Sequence, residues 1–328
     1  MVLDVSRRSL FYAAGLGTLA APFIVNRAGA LAASGTGAEM RLPPVETRSF
    51  KLGEFRVTVV RDGMRAGDAP HETFGTNQPA DAVSDLLREN FLPADRYVNS
   101  FAPTLVDTGT EVVLFDTGLG EAPKSRFPAA LAEGLEAAGY SPDQVTVVVI
   151  THMHGDHIGG LIEKGEPAFR NARYVTGRTE HDFWVSPDRV GTPAEQGHQG
   201  MLARVKPLAD KITFIEDGAE VVPGITGINA FGHSPGHMIF RIESEGRPLV
   251  LTADTANHYV LSLQRPDWEV RFDMDKGAAA ATRKKVFDMI ATDRLAFVGY
   301  HMPFPAVGFV ERAGEGYRFV PASYQFDL

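Results

Sequence analysis

The sequence predicts an α+β domain in which two mixed β-sheets face each other and helices cover the outer faces. Three observations carry this. Short apolar and β-branched runs cluster in both halves of the chain. Helical patterns lie between them, and no linker or close internal repeat divides the region from about residue 48 to the end. Such a pattern calls for packed layers around one core.

The elements follow in order. From Arg48, the residues Phe50, Leu52, Phe55, Val57 and Val59 interleave with polar positions, a strand pattern. Residues 64–80 are rich in Gly, Pro and polar groups and read as a surface loop. Ala80 to Asn90 reads as a helix with Val83, Leu86 and Leu87 on one face. Thr104–Asp107 and Glu111–Asp116 read as a hairpin across Thr108-Gly109-Thr110. Pro128 to Ala138 is helical, ended by Gly139, and Val145–Ile150 is a buried central strand. Tyr174–Thr176, Lys211–Ile215, Ile225–Phe231, Met238–Ile242 and Leu249–Thr252 read as strands. Gln196–Val205 and Lys276–Thr292 read as helices, and strands return between Ala296 and Val320.

Ahead of this domain, Arg7-Arg8 precedes an apolar, Gly/Ala-rich stretch from Leu10 to Val25 and small residues at Ala28-Gly29-Ala30-Leu31-Ala32. The order is that of a secretory signal, and the arginine pair resembles the twin-arginine export signal. Residues 1–32 are expected to be this signal, 33–47 a flexible lead-in and 48–328 the catalytic domain, with a periplasmic destination and no membrane anchor after processing. Removing Arg7, Arg8, Arg27 and Asp4 with the signal takes the net charge from −9 to −11. That acid excess argues against a nucleic-acid partner. The chain has no Cys, which excludes disulfides, thiolate-ligated metals and a thiol nucleophile. Any metal must be held by His and carboxylate.

Directly after the buried strand comes Thr151-His152-Met153-His154-Gly155-Asp156-His157, an H-x-H-x-D-H pattern. In extended chain His152 and His154 project to one side and can share a metal. Gly155 allows a turn that lets Asp156 and His157 face a second one. So many imidazoles in six residues repel one another unless cations lie between them, and the residue types suit zinc.

This motif resembles that of the metallo-β-lactamase superfamily, an αββα sandwich with its metals at one edge. The resemblance extends to Gly232-His233-Ser234-Pro235-Gly236-His237, to Asp254 closing Leu249–Ala253, and to His301 after Phe297-Val298-Gly299-Tyr300. It implies His152, His154 and His233 on one metal, Asp156, His157 and His301 on the other, and Asp254 between them. Asp116, in Leu114-Phe115-Asp116-Thr117-Gly118, and His237 are implied to support the site without binding metal. The branch it most resembles is that of methyl parathion hydrolase, through Ala138–Val145, Asp182-Phe183-Trp184, His301–Pro305 and Gly316–Pro321. That branch also implies a homodimer.

The resemblance implies a hydrolase that uses a hydroxide bridging two divalent ions, zinc first and Mn, Co or Fe as alternatives, with Asp156 and Asp254 as the catalytic carboxylates. The small-molecule substrates it implies are lactones, aryl esters or phosphotriesters. The alternatives are a quorum-quenching acyl-homoserine lactonase and an iron-dependent redox enzyme of the same fold. Lactonases of the superfamily usually place a Tyr three residues after the bridging Asp, where this chain has Asn257 and then His258. Candidates for the substrate pocket are Trp184, Phe74, Phe127, Asn257 and His258. His71, His181 and His198 are expected at the surface.

Overall fold

The computed structural model describes residues 46–120 and 130–326. The export signal, most of the lead-in and Phe127 lie outside the described residues. Two seven-stranded sheets form the body, as the α+β reading expects. The first runs in the spatial order Thr47–Leu52, Phe55–Val60, Thr104–Asp107, Val112–Phe115, Val147–Ile150, Arg173–Gly177, Ile212–Ile215. Its first four strands pair antiparallel and the rest parallel. The second sheet holds Glu220–Val222, Ile225–Asn229, Met238–Ser244, Arg247–Ala253, Ala296–Gly299, Val307–Ala313 and Gly316–Pro321. Only the pair Arg247–Ala253 with Ala296–Gly299 is parallel in that sheet.

The Val147–Ile150 strand shows why the sheets stack. Side chains alternate between faces along a strand. Val147 and Val149 join the cluster that contains Phe240, Ile242 and Leu249 of the second sheet. Val148 and Ile150 join the cluster that packs on Leu135, Met201 and Leu208 beyond the first sheet. Both faces are buried, so the strand has no polar residue to spare. Across the sandwich, the rings of Phe115 and Phe240 lie 5.2 Å apart. The helix Lys276–Asp293 covers the second sheet through Val286, Phe287 and Ile290.

Two sequence expectations change here. The run from Arg48 to Val59 is a hairpin rather than one strand, because Gly53 turns at φ 58° between Leu52 and Phe55. Residues 64–80 are not all loop. Gly63–Asp68 is a strand paired with Arg96–Phe101. Its sequence Gly-Met-Arg-Ala-Gly-Asp has no β-branched residue, and its strand character comes from the distant partner.

Candidate metal centre

The site sits where three strand ends meet. Val147–Ile150 delivers the segment 151–157, Arg247–Ala253 delivers Asp254, and Ala296–Gly299 delivers His301. The loop after Ile225–Asn229 carries His233. Asp116 and Ala253, both at strand ends, take positive φ values of 59° and 41°. Backbone of this kind persists only where its surroundings hold it, and it clusters at functional sites.

Side chains from these four segments converge. His152 Nε2 lies 3.1 Å from His154 Nδ1, which lies 2.9 Å from His233 Nε2. Asp156 Oδ2 lies 3.7 Å from His157 Nε2 and 3.6 Å from His301 Nε2. Asp254 stands between the groups. Its Oδ1 is 3.2 Å from His157 Nε2, and its Oδ2 is 3.2 Å from His233 Nε2 and 3.0 Å from His301 Nε2. The structure therefore brings together all seven residues that the resemblance implies. Of these, only His154 and Asp156 are partly exposed, so the cluster opens to solvent on their side.

Whether the residues fit a metal can be tested on the far side of each ring. His301 Nδ1 faces the Ser100 carbonyl at 2.9 Å, and a carbonyl only accepts. Nδ1 therefore carries a proton, and Nε2 faces the Asp254 carboxylate at 3.0 Å, where it either donates a proton or, with a cation between them, serves as a ligand atom. His157 repeats this, with Nδ1 donating to Asp116 Oδ2 at 2.8 Å. Its Nε2 and the facing Asp254 Oδ1 are both buried without a hydrogen-bond partner. His233 Nδ1 donates to Asp273 Oδ1 at 2.8 Å, which again leaves Nε2 to point inward. Ring nitrogens and carboxylate oxygens crowded together in a buried site call for positive charge between them, whether protons or metal ions. The donor set fits divalent metal ions, with each inward atom fixed by an outer hydrogen bond.

The electrostatics show the same demand for positive charge, which protons on the rings meet when no cation lies between them. Burial disfavours a charged His157, but Asp254, Asp116 and Asp156 outweigh it and hold the ring well above its ordinary value. His233 is pushed up to about 9, with Asp254 overcoming the cost of burial. Burial would raise Asp254, yet His301, His157 and His233 pull it well below the usual carboxylate range. Burial, with neighbouring imidazoles, drops His152 and His154 well below the normal range. The centre thus retains carboxylate charge and attracts cations.

The supporting residues have clear places. Asp116 also accepts the Thr151 N–H at 2.9 Å and the Thr151 hydroxyl at 2.8 Å. His237 donates from Nδ1 to the Ala230 carbonyl at 3.0 Å and accepts the Asp254 N–H on Nε2 at 3.1 Å. Asn257 donates to Asp254 Oδ2 at 2.9 Å, so it serves the bridging carboxylate. His258 Nδ1 accepts the N–H groups of Val260 and Leu261, each at 3.1 Å, at the start of the short helix Leu261–Gln264.

Other expectations are corrected. Phe74 is fully buried, packed edge-on against Tyr97 and His258 in a separate apolar cluster, and is not on an open pocket wall. Trp184, buried, stands beside the site all the same, with its ring centre 6.0 Å from that of His154 and its indole N–H on Glu180. His198 is not at the surface. It is buried with Nδ1 2.6 Å from the Trp184 carbonyl.

Sequence reasoning missed several acids that build the site. Glu180 accepts four hydrogen bonds while fully buried, and Asp62 receives the N–H groups of Leu119, Ala130 and Leu131. Asp273 is bound to Arg283, whose guanidinium is itself buried and also donates to the Thr255 carbonyl at 2.9 Å. None of these residues lies in a motif, so no local signal marks them.

A family model described as the metallo-beta-lactamase superfamily matches residues 102–291. An N-acyl homoserine lactonase of Bacillus cereus is 27% identical over 217 residues, 60% of this chain and 79% of the relative. One of Bacillus thuringiensis is 32% identical over 165 residues, 48% of this chain and 60% of the relative. Among solved structures, a dizinc quorum-quenching lactonase, AidC, in complex with a product, N-hexanoyl-L-homoserine, is 26% identical with a TM-score of 0.80. That alignment covers 86% of this chain and 99% of the other. A hydrolase of the beta-lactamase superfamily, AbOPH, shares the fold at a TM-score of 0.78 and 24% identity, over 85% of this chain and 98% of the other. The curated relatives above are named as lactonases, so the methyl parathion hydrolase branch expected from the sequence is not the one these names support.

Proposed function

The chain belongs to the metallo-beta-lactamase superfamily and is a metal-dependent hydrolase, and from that premise we propose that it opens lactone rings, with N-acyl homoserine lactones as the leading substrates. The observation that carries this is the set of imidazole nitrogens and carboxylates converging on Asp254, open on one side, in a chain similar to lactonases of that specificity. His152, His154 and His233 would hold one divalent ion, Asp156, His157 and His301 the other, and Asp254 both. Zinc is the first choice for such imidazole and carboxylate donors. Two divalent ions held there would supply Lewis acidity, polarising a carbonyl oxygen and lowering the pKa of a bound water.

The protein's own part is orientation and proton handling. Asp116, Asp273 and the Ser100 carbonyl fix the tautomers of His157, His233 and His301. Asp156 is the one carboxylate of the cluster turned partly to solvent. It can take a proton from the attacking water at Oδ2 and pass it to the ring oxygen that leaves as an alcohol. The acid excess of the chain leaves nucleic acid out of the substrate range. The export signal read at Arg7-Arg8 would put this activity in the periplasm, where cell fractionation would find the protein.

The test is a panel of N-hexanoyl homoserine lactone, an aryl lactone and an aryl phosphotriester offered to the zinc-loaded protein. Ring opening of a lactone, abolished by a chelator, is expected. Turnover of the phosphotriester alone would instead support the branch suggested by Asp182-Phe183-Trp184. Failure on every lactone with two metals bound would end the lactonase reading.

A further inference from the structure

Glu180 lies outside both histidine motifs and has no exposed surface. Its Oε1 accepts the Met153 backbone N–H at 2.8 Å and the Trp184 indole N–H at 2.7 Å. Its Oε2 accepts the Ser234 hydroxyl at 2.7 Å and the Gly236 N–H at 2.8 Å. Met153 stands between His152 and His154, and Ser234 follows His233. One carboxylate therefore joins the two segments that supply all three histidines of one cluster. The approach is close: a Cβ on Gly236 would lie 2.1 Å from the Glu180 backbone nitrogen.

The other cluster rests on different supports. Asp116 holds His157, the Ser100 carbonyl holds His301, and the Tyr300 hydroxyl donates to the Asp156 backbone carbonyl at 2.5 Å. Glu180 bonds to none of these.

We infer that Glu180 is a positioning residue that sets the geometry of the His152–His154–His233 site and bears far less on the Asp156–His157–His301 site, whose own supports lie elsewhere. The inference rests on the two-metal reading above. Its logic is that four donors face the carboxylate, so both oxygens must accept. Glutamine in the same place would turn an amide NH2 against two of those donors and push the two segments apart.

The experiment is a competition titration of full-length wild type and Glu180→Gln with Zn2+ against a chromophoric chelator. Wild type should give two dissociation constants, and the one lost in His233→Ala belongs to the three-histidine site. In Glu180→Gln that constant should rise about 10- to 100-fold while the other moves by less than about twofold. Equal constants in the variant and wild type would overturn the inference alone, and so would a parallel rise in both. If Glu180→Gln does not fold, Ser234→Ala removes a single donor and should give a smaller rise at the same site. An unchanged constant there would also overturn it. A wild-type protein that binds no metal would remove the two-metal reading and this inference with it.

Discussion

His258 shows how a single side chain ties the fold to pH. Its Nδ1 accepts two backbone N–H groups at a helix start, and this needs a lone pair. Burial drops its pKa from 6.5 to about 4. A histidine depressed in the folded state stabilises above its unfolded pKa, and that stability is lost as pH falls toward the folded value. Denaturant unfolding should therefore show stability falling between pH 6.5 and about 4, with up to ~3 kcal/mol of the loss due to this residue. In His258→Asn the side-chain oxygen can still accept both bonds and does not titrate, so its stability should fall less over the same range. An identical pH slope in variant and wild type would contradict this account of His258.

Residues of the metal cluster were legible because they are crowded into motifs. His152, His154, Asp156 and His157 fall within six positions, and that crowding demands a cation whatever the fold. Glu180, Asp62 and Asp273 are single acids among 41 in the chain, and what distinguishes them is the donors that tertiary structure brings to them. The pocket candidates were harder to read for a related reason. An aromatic in the sequence looks the same whether it lines a cavity or fills a core, and Phe74 and Trp184 are buried.

Among the elements, strands with β-branched runs were read nearly at their true bounds. Val145–Ile150 became Val147–Ile150, and Leu249–Thr252 became Arg247–Ala253. Gly63–Asp68 and Arg96–Phe101 were missed because each owes its pairing to a partner some thirty positions away. That small sheet is not incidental, since Ser100 within it holds His301. The helix Lys276–Asp293 has a comparable duty. Its N-terminal turn lies against Gly232, whose φ is 128° and where a Cβ would come within 2.2 Å of the Ala279 nitrogen. The Gly232 carbonyl also accepts the Asp275 N–H at 2.9 Å. Gly232→Ala should cost ~2 kcal/mol or more, because both the backbone conformation and the space are denied. Denaturant unfolding that leaves the variant as stable as wild type would show that the contact between helix and loop is not tight.

At the scale of the whole molecule, two sheets exist to bring four chain segments to one edge. The first sheet supplies residues 151–157 and Asp116, and the second supplies His233, Asp254 and His301. The absence of Cys, which excluded thiolate chemistry, becomes on the folded structure a centre made of five imidazoles and two carboxylates. Neither sheet alone holds the full set, so both metals should depend on the intact sandwich. Among the described residues no helix is long and apolar enough to cross a membrane, and the structure has no need of one to build the site. The proposed centre depends on two cations lying between those side chains. The direct measurement is the metal content of the purified full-length protein after zinc loading and removal of excess metal, by elemental analysis. Two ions per chain are predicted, falling to one when His233 or His301 is replaced by alanine. A wild-type content of zero or one, or a content of two that neither substitution changes, would contradict it.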